Sequence, residues 1–131
     1  MNKKTLDYNF GIQKESLFLD KLKNKFGIDV LPVKDKYCSY DFESNDSIFE
    51  LKSRRCLKET YPTTMIGYNK IKKYQALHKK IILCFNFIDT DCYYEYNIND
   101  ELTVRTGGRN DRGQEEYNDY LYIPINLLKN F

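Results

Sequence analysis

The chain has a single histidine, His78, no tryptophan, and four cysteines that never fall in a C-x-x-C pair. A zinc site needs several Cys or His ligands at short spacing. Cys38, Cys56, Cys84 and Cys92 with one histidine do not supply that pattern, so zinc chemistry is not expected. Cys84 lies in an apolar run, and all four read as reduced thiols, which fits a cytoplasmic compartment. Long hydrophobic runs are missing too. The longest, near residues 81–87, falls far short of the ~20 residues a membrane-spanning helix requires. The opening MNKKTLDYNF has two lysines with no apolar stretch behind them, so no secretory signal is expected. Repeats, low-complexity tracts and linkers are absent as well. A length of 131 residues leaves room for one hydrophobic core, so a single domain over 1–131 is expected.

What is present is the composition of a soluble globular protein, 41% hydrophobic and 31% charged, which argues against disorder. Net charge is only +2, but it is unevenly distributed. Residues 51–80 carry nine Lys or Arg and one acid, Glu59, for a local charge of +8; the rest of the chain sums to −6. Such a concentration suits a polyanion-binding face, although a solvated lysine-rich helix would give the same count.

The elements read in a clear order. Ile12, Leu19, Leu22 and Phe26 recur at helical spacing, predicting a helix over 11–26 that Gly27 ends. Residues 28–33 read as a short strand, with Pro32 favouring a sheet edge or an early end. A hairpin follows, over 38–43 and 47–53. Residues 57–64 read as a loop, whose threonines could cap a helix over 66–79 with Ile71, Tyr74 and Leu77 or His78 turned inward. The continuous apolar run 80–88 predicts a buried strand, and 92–98 a strand returning from a turn at residues 89–91. A short strand over 102–105, a flexible basic loop over 105–114 and a last strand over 120–123 complete the chain. The expected fold is therefore α/β: hairpins give antiparallel pairs, a strand–helix–strand unit gives a parallel one, and a mixed central β-sheet is flanked by helices.

The hairpin carries the chemistry. With a two-residue loop at Asn45-Asp46, Phe42 pairs with Phe49 and Asp41 falls opposite Glu50. Side chains alternate along strands, so Phe49 and Leu51 take one face while Glu50 and Lys52 share the other with Asp41. Like charges directly opposite are destabilising on a sheet. They become favourable when a divalent cation sits between them, and magnesium is commonly held by one or two carboxylates, with water and phosphate filling its other positions. Such an ion polarises a phosphoryl oxygen, and a neighbouring lysine can hold the attacking water or offset developing charge. On the first helix Glu15 lies four residues before Leu19 and seven before Leu22, on or near the apolar stripe, and could point toward the same cluster.

Asp41 with Glu50-Leu51-Lys52, read as an acid followed by E-x-K, resembles the PD-(D/E)xK nuclease superfamily, which includes restriction-endonuclease-like and junction-resolvase-like enzymes. Its αβββαβ core order is similar to the order read here from residue 11 to residue 88. The resemblance implies Mg2+- or Mn2+-dependent cleavage of nucleic acid. It implies a catalytic set of Glu15, Asp41, Glu50 and Lys52, and a metal set of Asp41, Glu50, Glu15 and Leu51. Tyr40 stands where the namesake proline would be, and Gln75 is followed four residues later by Lys79 rather than the Tyr that some members carry.

Arg54 and Arg55 follow this strand directly, and alternation would let Arg54 reach a phosphate next to the scissile one. Lys72 and Lys73 on the second helix, with Arg105, Arg109 and Arg112 in the glycine-containing loop, complete the expected nucleic-acid-binding set. Tyr93, Tyr94 and Tyr96 alternate across a strand, where core packing on one face is expected ahead of base stacking. The sequence therefore points to a metal-dependent nuclease hydrolysing DNA, an endonuclease whose small size suits a junction-resolvase-like role, with a homodimer able to cut two strands symmetrically. The alternative is a non-catalytic nucleic-acid-binding module on the same fold. A lean toward Lys, Asn, Ile and Tyr is what an AT-rich genome tends to write. A viral or phage origin would fit, with action in the host cytoplasm or nucleus.

Overall fold

A computed structural model describes residues 3–35, 37–109 and 116–131, with side chains described for 15–35, 37–107 and 118–131. In chain order the elements are α1 (Lys3–Phe26), β1 (Leu31–Pro32), β2 (Phe42–Glu43), β3 (Ser47–Ser53), β4 (Thr63–Gly67), α2 (Tyr68–Gln75), β5 (Lys80–Asn86), β6 (Asp91–Glu95), β7 (Thr103–Arg109), β8 (Glu116–Pro124) and β9 (Lys129–Asn130). Among the described residues no helix is long and apolar enough to cross a membrane.

Six strands form the central sheet, in the order β1-β2-β3-β5-β6-β9. β3 and β5 run parallel, with Glu50 beside Leu83 and Lys52 beside Phe85, while the flanking pairs are antiparallel. This is the mixed sheet that the hairpins and the strand–helix–strand unit imply. Pro32 does sit in an outermost strand, where its missing N–H breaks no ladder.

Both faces of the sheet are covered. Phe18 and Leu22, one helical turn apart on α1, pack with Phe49, Ile82, Cys84 and Tyr93 on one face. The helix stops at Gly27, whose φ of 131° is open only to glycine at low cost and whose N–H donates to the Lys23 carbonyl at 3.0 Å. It begins at Lys3, eight residues before the periodic stretch that identified it.

The opposite face packs under α2 and a second sheet, ordered β4-β8-β7, which sequence reasoning did not anticipate. Residues 63–67 read as loop and helix start because their threonines resemble caps. They alternate instead, with Thr64 and Ile66 buried, and pair with β8 nearly sixty residues away. The predicted helix over 66–79 accordingly contracts to Tyr68–Gln75. Ile71 and Tyr74 are buried as expected, whereas Leu77 and His78 are exposed beyond the helix end, His78 with a left-handed φ of 56°. The loop expected over 105–114 is in part β7, which runs to Arg109; the rest of it, Arg112 included, lies outside the described residues. With both sheet faces covered, Tyr93 and Tyr94 are both buried, one on each side.

Candidate active site

Asn45-Asp46 closes the β2–β3 hairpin, with the Ser44 N–H on the Ser47 carbonyl at 2.8 Å, and the ladder pairs Glu43 with Ile48 and Phe42 with Phe49. The expected direct pairing of Asp41 with Glu50 does not form. The ladder ends at Phe42, and the Asp41 N–H turns to the Phe49 carbonyl at 2.9 Å. The Asp41 carboxylate instead reaches across to β3, where Oδ2 accepts the Leu51 N–H at 2.7 Å. The bend replaces a ladder bond with a side-chain bond, so a carboxylate is fixed against the strand that carries Glu50 and Lys52.

Glu50 is the most constrained charge in the molecule's described part. It is 3% exposed, and an ionised carboxylate at that depth is tolerated only with full hydrogen bonding and counter-charge. Oε1 meets two ammonium groups, Lys70 Nζ at 2.9 Å and Lys52 Nζ at 3.2 Å, and Oε2 accepts the Tyr74 hydroxyl at 2.6 Å. Lys70 and Tyr74 are four residues apart on α2 and so face the same way. Tyr40, at the position of the family's proline, packs edge-on against Tyr74 with ring centroids 5.7 Å apart. The sequence places Tyr74 toward the core and Lys70 among the basic residues of the second helix; their i, i+4 spacing puts them on one helix face, but that this face meets Glu50 is visible only in the fold.

The electrostatics follow from this crowding. Burial pushes the Asp41 carboxyl above its usual range, the Leu51 N–H pulls it back, and the Glu50 and Glu15 carboxylates push it further up. Burial, then the neighbouring Lys70, lowers the Lys52 ammonium. For Lys70 burial is the largest single influence and acts downward, but the bond to Glu50, the Glu50 charge, Lys52 and the Asp41 charge together outweigh it and the group sits above its ordinary value. Burial and the bond to Glu50 raise the Tyr74 hydroxyl, which stays protonated as a donor. Glu15 is exposed rather than part of the apolar stripe, and α1 packs on the Phe49 face of the sheet, opposite Glu50. It nevertheless lies close enough to Asp41 to act on it through space.

Next to this cluster a cleft of about 800 Å3 opens between the lysines and the second sheet, lined by Lys52, Lys70, Asn69, Met65, Tyr120 and Tyr122 among others. The basic residues expected to touch nucleic acid are dispersed. The Arg54 guanidinium is tied to β4, with Nη2 on the Met65 carbonyl and Nε on Thr64 Oγ1 at 3.3 Å, and it covers the Phe85 ring; it also lines the cleft. That is a structural clamp, unlike the free side chain that alternation suggested. Arg55, Lys72 and Lys73 are exposed, Lys72 lying over the Tyr68 ring at 4.8 Å. Arg105 belongs to β7, exposed and 4.7 Å above the Tyr122 ring. Arg109 ends β7 with its side chain outside the described residues.

Among the described residues no group of three or more His, Cys, Asp or Glu could by itself hold a metal ion. The donor chemistry still suits a hard divalent cation, which needs only one or two carboxylates and completes its shell with water and phosphate. Asp41 and Glu50 would supply that pair, and the Glu50 charge acting on Asp41 is the kind of stress a cation relieves.

A mixed sheet flanked by helices, with an acid and an E-x-K strand brought together on it, defines a restriction-endonuclease-like nuclease core. Over residues 13–131 the sequence matches the family described as "Phage putative PDDEXK endonuclease", and the chain belongs to that family. It is a nuclease acting on nucleic acid, in a family that is generally metal-dependent. No curated protein and no solved structure matches it.

Proposed function

We propose that the protein is an Mg2+- or Mn2+-dependent endonuclease that hydrolyses DNA phosphodiester bonds, with residues 1–131 acting as one catalytic domain. The observation that carries this reading is the convergence of Lys52 and Lys70 on buried Glu50, beside Asp41 and at the mouth of the cleft. Asp41 and Glu50 would hold the ion, helped by the Leu51 carbonyl and, through water, by Glu15. When bound, the ion supplies Lewis-acid polarisation of the phosphoryl oxygen and a more acidic water.

The protein's own groups do the rest. Lys52 leaves Glu50 for the reacting phosphate, where its Nζ holds the attacking water and offsets the charge that grows on the phosphoryl oxygens. Lys70 keeps Glu50 neutralised during that exchange, and Tyr74 fixes the carboxylate's rotation through Oε2. Water's oxygen bonds to phosphorus as the strand's P–O bond breaks; the water gives up its proton to solvent, and the departing oxygen takes one up from solvent.

The test is cleavage of single-stranded, duplex and four-way-junction DNA, and of RNA, in Mg2+ and in Mn2+, with wild type beside Lys52→Ala. Metal-dependent cutting lost by about a hundredfold or more in the variant is expected, on the scale of removing one transition-state donor. Equal cutting by both proteins, or cutting insensitive to chelator, would overturn the site. Paired nicks at symmetric positions, together with a two-copy mass in solution, would identify a dimer.

A further inference from the structure

The nuclease site uses one side of the cleft; the opposite wall has features of its own. In β4-β8-β7 the residues directly opposite one another share a face. One face carries Thr64, Ile66, Leu121 and Ile123 into the core. The other brings together Met65 with Tyr122, and Gly67 with Tyr120 and Arg105, with Asn118 beside Gly107. That face looks into the cleft opposite Lys52 and Lys70.

Three features separate it from an ordinary polar sheet face. Tyr120 and Tyr122 are two apart on β8, so both rings point the same way, and both are only half-buried. Gly107 leaves room for Tyr120: a β-carbon there would lie 3.2 Å from Tyr120 Cδ2. Arg105 lies over the Tyr122 ring and is exposed, which puts a cation at the rim of the aromatic pair. Asp119, which alternates with Tyr120 on β8 and also lines the cleft, accepts a hydrogen bond from Thr106 Oγ1 at 2.7 Å. Among the described residues that line the cleft, the cations Lys52, Arg54 and Lys70 outnumber the acid Asp119, a balance that complements a phosphate backbone.

We propose that this face is a stacking platform for unpaired bases, so that DNA enters the cleft as a single-stranded segment. The inference rests on the nuclease reading for its polarity, since the strand's phosphates run toward Lys52. Paired bases expose only their edges, whereas Tyr rings and Arg planes on a sheet take base faces without regard to sequence. Base stacking on Tyr120 and Tyr122, with the backbone between Arg105 and the two lysines, uses each group in the role its chemistry suits.

The test is fluorescence anisotropy in chelator with a labelled oligothymidylate and a blunt duplex. It uses the full chain, with Tyr120→Leu/Tyr122→Leu beside Tyr120→Phe/Tyr122→Phe. The Leu pair should weaken single-strand binding by about tenfold or more and leave duplex binding nearly unchanged, while the Phe pair binds as wild type does. Unaltered single-strand binding by the Leu pair, failure of Phe to restore it, or an equal loss on duplex would each overturn the platform. Should the Leu pair unfold, photocrosslinking of wild type to 5-bromouracil DNA decides. Adducts at Tyr120 or Tyr122 support the proposal, and adducts confined to other residues refute it. Because binding is read without metal, a failure of the Lys52→Ala test would count against the nuclease site alone.

Discussion

Tyr74→Phe removes one hydroxyl and nothing else from the buried side of the site. The ring is 1% exposed and keeps its edge contact with Tyr40, so no cavity opens. What is lost is a 2.6 Å hydrogen bond to a carboxylate that is itself 3% exposed. Bonds to charged groups contribute about 1.5–3 kcal/mol, and leaving a buried charge short of a donor costs in the same range. Lys52 and Lys70 remain on Oε1, which argues for the middle of that range, about 2 kcal/mol. With an unfolding entropy near 2.1 cal/mol/K per residue, a chain of 131 residues should lose about 7 °C in Tm. Urea unfolding in chelator at neutral pH, followed by circular dichroism, reads the change directly, and the m-value should not move. Combining Tyr74→Phe with Glu50→Gln should show a coupling of about 1–2 kcal/mol, because the second change is made where the bond has already gone. A loss below about 0.5 kcal/mol, or simple additivity with Glu50→Gln, would refute the claim that the Tyr74 hydroxyl holds the Glu50 side chain.

Asp41→Asn should stabilise the metal-free protein while abolishing cleavage, since Asn keeps an acceptor for the Leu51 N–H but removes a charge that is disfavoured first by burial and then by repulsion from Glu50 and Glu15. The sign is fixed by the raised carboxyl: the folded state holds this proton more tightly than the unfolded chain. The destabilisation is thus full above the folded pKa and fades as pH falls toward the ordinary 3.8. Urea midpoints in chelator should favour the variant at pH 7 and converge near pH 3.8, and Mg2+ should stabilise wild type alone; a less stable variant at pH 7 would count against a carboxylate strained by burial and repulsion. Among the four thiols, Cys84 and Cys92 are buried and their pKa values are raised, by burial first. Only Cys38 and Cys56 should react with a thiol reagent in the native state, and four fast-reacting thiols would contradict the packing.

Much of this was legible locally. A two-residue turn between alternating strands is local information, and it placed Phe42 opposite Phe49 and put Glu50 and Lys52 on one face. The apolar run of β5 fixed a buried strand in the same way. Gly27 likewise marked the end of α1, because its conformation is a property of one residue.

Elsewhere local signals gave the wrong answer because distant partners decided. Thr63–Gly67 resembles a helix cap by composition and becomes a strand because β8 offers it a ladder. Asp41 leaves the ladder because its carboxylate finds the Leu51 N–H, a choice between two hydrogen bonds that alternation cannot resolve. Arg54 continues the Glu50–Lys52 face by counting, but β4 takes its guanidinium once that strand is in place. The sequence by itself determined the acids, the lysine and the strand that carries them, since those depend on neighbours within a few residues. Only the tertiary structure decided that the Glu50 face is buried under α2, that Lys70 and Tyr74 share the carboxylate with Lys52, and that an aromatic wall stands across the cleft. Each of those requires chain segments twenty or more residues apart to meet, and burial then sets both the charge state and the geometry at the point where they do.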